Sequence, residues 1–426
     1  MNWLQWYRVR TYVRSSIWIL PVFGLVAAAL SGPLVFWTDK WIPSKSTFDP
    51  GATRELLETL AASMFTLIVF VSSALLLAIQ LASAQLTPRV ISLFFKDRVT
   101  KLALTIFVFT FAFSLAVAVR ISDTVPLFAV RVAAYSCMLS VAFFVYMIDH
   151  VGKFLRPSGV LRIVASLGRQ VIRDIYPQPF EESEAKTSEP GGAGEATRTI
   201  ISTKTGVVLA VNVRGLVSLA QRHNCLIELV PQVGEFIALE EPLFRILQGG
   251  AELPASDLHN SIAVGSERTI EQDPAFAFRI IVDIASKGLS PAINDPTTAV
   301  LAIDQIHRLL RMVGLRHLDE GIVRDAQGCI RLMYRTPDWE DFVYLAVTEI
   351  RNFGGTSIQI SRRLRAMLDN LIHTLPPQRA PILRQELNRL QRSAERNFPE
   401  LDDRALAGVS DSQGVGGTRE TNSQEV

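Results

Sequence analysis

Polar side chains recur at a fixed step inside one long apolar stretch, LLETLAASMFTLIVFVSSALLLAIQLASAQ, from Leu56 to Gln85. Thr59, Thr66, Ser73 and Gln80 follow one another at seven-residue intervals. At about 100° per residue that step returns almost to the same side of a helix. Thr59, Ala62, Thr66, Ser73, Gln80 and Ala84 therefore share one narrow arc, while Phe65, Ile68, Leu75 and Ile79 point elsewhere. Hydroxyls and small side chains so arranged either let a neighbouring helix approach and hydrogen-bond to it or line a water-filled path. Gln80, an amide with two donors and an acceptor, keeps the second reading open.

A second polar cluster lies far along the chain: Arg268, Asp273, Arg279, Asp283, Asn294 and Asp295. Asp283 stands four residues from both Arg279 and Lys287, the ordinary spacing of ion pairs on a helix surface. Asp273-Pro274 and Asp295-Pro296 each have the form of a helix start, the aspartate accepting open N–H groups and the proline having none to leave open. On the alternative reading SPAINDP is a tight loop presenting Asn294 and Asp295, with Arg268 and Asp273 nearby, to a small ligand. A helix start favours an anion and two carboxylates favour a cation, so the residue types leave the sign of that ligand open.

Neither cluster resembles a catalytic constellation. The six histidines are isolated, no phosphate loop or H-E-x-x-H occurs, and Asp149-His150 is a polar end to an apolar run. Cys137, Cys225 and Cys329 are too scattered for a disulfide framework or a zinc site. A net charge of +2, with no basic strip interleaved with aromatics, speaks against nucleic acid. No cofactor or metal is expected.

The elements that must carry these residues divide the 426-residue chain in two. Residues 1–16, with Arg8, Arg10, Arg14, Trp3, Trp6, Tyr7 and Tyr12, read as a cytoplasmic amphipathic arm at a membrane surface. Residues 17–149 contain four apolar runs: Ile17 to Trp37, the striped helix, Leu102 to Val119, and Val125 to Ile148. Each is about the length a bilayer requires. Arg131, one turn inside the last run, either snorkels to headgroups or belongs to a buried ion site. Lysine and arginine concentrate in the arm, in Thr87 to Lys101 and after Asp149, which places both termini in the cytoplasm. In that loop Thr87 caps and Pro88 opens a short helix whose Val90, Ile91, Leu93, Phe94 and Phe95 are expected in the membrane interface. These basic loops are expected to meet anionic lipid headgroups.

Residues 150–176 form a basic amphipathic helix that either rests on anionic lipid or packs on the soluble part. Residues 177–197, with Gly191-Gly192-Ala193-Gly194, read as a flexible linker. Residues 198–250 alternate as strands around a short helix near Leu216 to Arg222. Their pattern resembles that of barrel-sandwich hybrid domains, the class of lipoyl and biotinyl carriers. No lysine sits at a hairpin tip, so the resemblance implies a structural module without a swinging cofactor. Residues 251–403 read as mostly helical, with a strand at Cys329 to Tyr334, and 404–426 as a disordered tail.

Ser266 to Val300, SERTIEQDPAFAFRIIVDIASKGLSPAINDPTTAV, resembles the signature of the bacterial domain-of-unknown-function 2254 (DUF2254) family of predicted membrane proteins. QLASAQLTPRVISLFFKDR resembles that family's other characteristic run. The resemblance implies a multi-pass protein of the bacterial inner membrane with a cytoplasmic C-terminal part, and no established reaction. The expected fold is an α-helical membrane domain of four transmembrane helices followed by a cytoplasmic α+β domain. Three functions compete: a homo-oligomeric channel for an ion or small solute, a membrane-anchored sensor or scaffold, and a membrane enzyme. A transporter is disfavoured because no acid lies at mid-membrane.

Overall fold

The computed structural model describes residues 2–41, 48–122, 125–180, 196–318 and 321–417, with the backbone alone at 32–41. The chain forms two compact units, residues 10–159 and, joined by the first nine residues, residues 160–426. Much of the expected linker, 181–195, lies outside the described residues, as does 418–426.

The first unit is helical. It takes the end of α1 (Trp3–Ser15), then α2 (Ile19–Trp41), α3 (Pro50–Gln85), the short α4 (Ile91–Phe95), α5 (Arg98–Arg120) and α6 (Leu127–Phe154). Among the described residues α3, α5 and α6 are long and apolar enough to cross a membrane. A fourth span exists if α1 and the following Ile19–Ser31, bent by 81°, are counted as one. Two of these starts are capped by a side chain: Asp49, ahead of Pro50, accepts from the N–H of Ala52, and Asp97 accepts from Thr100. The unit is organised around α5, which packs against α2, α3 and α6. At the α5–α6 contact the buried hydroxyls of Thr110 and Ser140 meet at 2.9 Å. Val90, Leu93 and Phe94 do not lie in an outward interface. They are buried in this unit, Phe94 against Phe154 at 4.4 Å between centroids, because one turn of helix beside α3 offers its apolar side to the bundle first.

The second unit begins with α7 (Pro157–Ile175). Its apolar side, from Val160 to Ile172, is buried in this unit, with Gly168 against Ala277 and Leu309, so helix packing and not lipid covers it. Strands follow: β1 (Arg198–Ile201), β2 (Gly206–Val211), then α8 (Val213–Arg222), β3 (Leu226–Leu229), β4 (Phe236–Ile237), β5 (Pro242–Gln248), α9 (Ala255–His259) and β6 (Ile262–Gly265). After α10 (Pro274–Gly288) and α11 (Pro296–Gly314) come β7 (Ile322–Arg324), β8 (Ile330–Tyr334), α12 (Trp339–Phe353), α13 (Ile358–Thr374), α14 (Ala380–Asn397) and α15 (Leu401–Ala407).

The strands make a five-stranded sheet in the order β1-β5-β3-β8-β7, parallel only at β3–β8, and a three-stranded antiparallel sheet β4-β2-β6. The β-region therefore does not close within 198–250. It draws in β8, the strand expected at Cys329 to Tyr334, together with β6 and β7, for which no strand was expected, since a buried strand such as β3 needs ladder partners on both edges.

Two further expectations give way to packing. Trp3, Leu4 and Tyr7 of the arm lie against Leu209, Ala210 and Ala263 of the small sheet. The tail is ordered as far as Gly417. Arg362 of α13, buried, donates to the carbonyls of Val409 and Gly416, and the buried Asp411 accepts N–H groups of Gln413, Gly414 and Gly416. Burial alone would raise the Asp411 carboxyl, but those N–H groups, and the Arg362 charge, bring it below the ordinary value.

Candidate functional site

Helix α3 has 36 residues, a length of about 54 Å, which exceeds the ~30 Å hydrocarbon layer. Its buried residues are Thr53, Leu57, Ala61, Met64, Val71, Leu75, Ala78 and Ala82. At 100° per residue these centre roughly 160° from Thr66, on the side opposite the polar stripe. Thr59, Thr66, Ser73 and Gln80 are all exposed in the single chain. The stripe is therefore not what holds α3 to its neighbours in this chain.

The hydroxyls differ in how they are satisfied. Thr59 donates to the Glu55 carbonyl at 2.9 Å and Thr66 to that of Ala62 at 3.0 Å, each one turn back. Such groups tolerate an apolar surrounding because their hydrogens are already used. Ser73 and Gln80 have no partner among the described residues. Of these two, the Gln80 amide, with four hydrogen-bonding positions, leaves the more polar capacity that α3 itself does not satisfy.

The soluble cluster separates into parts. Arg268 grips Asp273 through Nε and, at 3.1 Å, through Nη2, while Asp273 also accepts the Phe276 N–H as the cap of α10. Asp273 is buried, and burial pushes its carboxyl above the ordinary range against the opposing pull of Arg268, Phe276 and Ala275. Gly234, at φ +89°, closes over this pair: a Cβ there would stand 2.3 Å from Asp273 Oδ2. Next to it Gln272 clasps the backbone of β2, accepting from Val211 N and donating to Val211 O.

Asn294 and Asp295 are beyond the other end of α10, 15 residues or about 22 Å away. Asp295 caps α11, accepting Thr298 N at 3.1 Å and its hydroxyl at 2.5 Å. Asn294, at φ +48°, turns the loop, in a conformation asparagine adopts more readily than most residues. Arg268 and Asp273 are brought together, and so are Asn294 and Asp295. The four do not form one site, because a straight helix holds the pairs apart. Arg279 bonds Asp283 at 2.6 Å and, as a fork, Glu349 of α12 at 2.6 Å to each oxygen, which joins α10 to α12.

Three buried cations escaped the sequence reading: Lys101, Arg362 and Arg363, the last bonded to Asp304 at 2.8 Å. Lys101, counted there as a loop charge, is buried and donates to the Arg14 carbonyl at 2.6 Å near the end of α1. The local signal was Asp97, whose cap places Lys101 within the first turns of α5. Arg362 carries no such signal, since its partners are backbone carbonyls. Among the described residues no group of three or more His, Cys, Asp or Glu side chains stands ready for a metal.

Comparison with known proteins gives one family. The description "Predicted membrane protein (DUF2254)" matches residues 14–370. An uncharacterized protein of Mycobacterium bovis and one of Mycobacterium tuberculosis (strain H37Rv) are each 25% identical over 417 residues, covering 93% of this chain and 79% of theirs. No solved structure matches the chain.

Proposed function

Because the chain belongs to the DUF2254 family of predicted membrane proteins, we propose that it acts in the bacterial plasma membrane as a homo-oligomeric conduit for an ion or small solute. In this reading α3 of each copy turns Thr59, Thr66, Ser73 and Gln80 toward a shared axis, and the soluble unit assembles or gates the ring. The lysine and arginine distribution supports cytoplasmic termini, with the basic loops against anionic headgroups.

The observation that carries the reading is Gln80, exposed, without a partner among the described residues, and on the side of α3 away from its packing. Hydrocarbon satisfies none of an amide's hydrogen bonds, and an interhelical bond returns only ~0.6–2 kcal/mol. Water along an axis satisfies all of them. One helix per chain encloses no path, so several copies must close around it.

The test uses a background lacking the native cysteines. Cysteines at Thr66, Ser73 and Gln80 should react with a water-soluble thiol reagent, and one at the buried Leu75 should not. Gln80→Leu should lower flux through reconstituted vesicles and leave oligomer size unchanged. If Gln80→Leu changes assembly instead, the stripe is packing and the sensor or scaffold reading takes its place. A monomer whose stripe cysteines never react ends the conduit.

A further inference from the structure

A hollow of about 410 Å³ opens on the first unit between α3 and α6, lined by Leu60, Ala134, Cys137, Met138 and Val141. It exists because α3 and α6 both pack along α5 and meet each other only briefly. Leu60 lies about 120° around α3 from Thr66, so the hollow is separate from the polar stripe. Its lining is apolar apart from one thiol, which makes it a space for hydrocarbon.

One turn from this space along α6 stands a charge. Arg131 precedes Ala134 by three residues and Met138 by seven, one and two turns nearer the start of α6 and on the same side of that helix. It is exposed and has no hydrogen bond or ion pair with any described residue. The sequence left open snorkelling or a buried ion site. Exposure removes the buried site, and snorkelling alone does not account for an apolar hollow one helical turn away on the same side of α6.

We propose that the hollow and Arg131 together bind one phospholipid. An acyl chain fills the space between Leu60 and Val141, and the phosphodiester accepts hydrogen bonds from the Arg131 guanidinium. The planar fork of arginine suits two phosphate oxygens at once. Among the described residues no carboxylate lines the hollow to hold an ammonium, so recognition rests on the phosphate and not on the rest of the headgroup. The guanidinium gains an anion where it otherwise faces hydrocarbon. The hollow gains contacts that a lipid merely passing along the surface does not keep. Neither the arrangement nor its occupant depends on whether α3 lines a conduit.

The experiment is native mass spectrometry of the full chain in mild detergent, titrated with phosphatidylglycerol. The parent protein should retain one lipid per chain. Arg131→Gln should weaken that retention by about tenfold, the order of one charge-assisted hydrogen bond. Ala134→Phe, which fills the hollow from an exposed position, should abolish it. Leu139→Phe, exposed about 140° around α6 from Ala134, should leave it unchanged. Oligomer mass from the same spectra and helix content by circular dichroism verify folding, and Ala134→Phe keeps the test decisive if Arg131→Gln misfolds. No lipid retained by the parent protein overturns the proposal, as when a second copy fills the hollow. Equal retention in the parent and Ala134→Phe, or equal loss in Leu139→Phe, also overturns it, since only nonspecific surface lipid behaves that way.

Discussion

Asp295 accepts both the N–H and the hydroxyl of Thr298, which leaves its carboxylate occupied. Asp295→Asn keeps an acceptor for that N–H and should retain most of the stability. Asp295→Ala should cost about 0.5–2 kcal/mol. Urea unfolding of the full chain in detergent measures both, and equal losses would mean that the carboxylate does more than cap. His307 belongs to the same scale. Its Nε2 lies 2.9 Å from Asn370 Oδ1, and burial, with Arg363 and Arg311, lowers its pKa against the pull of Asn370 and Asp304. The unfolded chain therefore binds the proton more readily than the folded one. Stability should rise with pH from the depressed folded value up to the ordinary histidine value and level off above it. His307→Gln should flatten that rise relative to the parent, and an identical pH profile for both would contradict the assignment. At this scale the sequence was legible wherever partners are neighbours in the chain, as in Asp-Pro helix starts. Arg362 was not, because the carbonyls of Val409 and Gly416 belong to a segment whose composition reads as loose tail.

Between elements, Gly24 of α2 makes a close approach to α5 in the first unit. A Cβ there would stand 2.7 Å from the Thr105 carbonyl oxygen of α5 and 3.0 Å from its methyl group. Gly24→Leu should force the two helices apart and cost about 1–3 kcal/mol or more. Thermal unfolding in detergent should reveal the loss, while Gly152→Ala, at a position with nothing within 4 Å, should not. The long apolar helices and their polar side were readable because periodicity is a local property. Strand partnership was less so: β6, β7 and β8 have three to five residues each, β6 and β8 pair with β2 and β3 far away in sequence, and β7 joins the sheet only through β8. The four candidate ligand residues were misjudged as neighbours for a related reason. Closeness in a signature of 35 residues says little once a helix stands between its halves.

At the scale of the whole molecule, the first nine residues belong to the unit formed by residues 160–426. Cations mixed with aromatics fit a membrane surface and the cover of a small sheet equally well, which is why composition misplaced Trp3 and Tyr7. Leu4→Ala together with Tyr7→Ala should destabilise that unit by a few kcal/mol, the order of a large-to-small change in a core. Hydrogen exchange should quicken in β2 and β6 while α5 keeps its protection; uniform quickening, or none, would count against this account.

The docking of Leu4 on Ala210 and Ala263 also has a consequence in time. At a synthesis rate of ~5–20 residues per second, the full partner of the first helical turn leaves the ribosome roughly thirteen to fifty seconds after that turn does. Every apolar helix of the first unit is made in that interval. The nascent arm must wait, bare aromatics and all, until the membrane helices have been dealt with. A ribosome that stops before residue 265 leaves it with no place to dock, and such an unfinished chain presents an exposed N-terminal hydrophobic segment that cellular quality control can read.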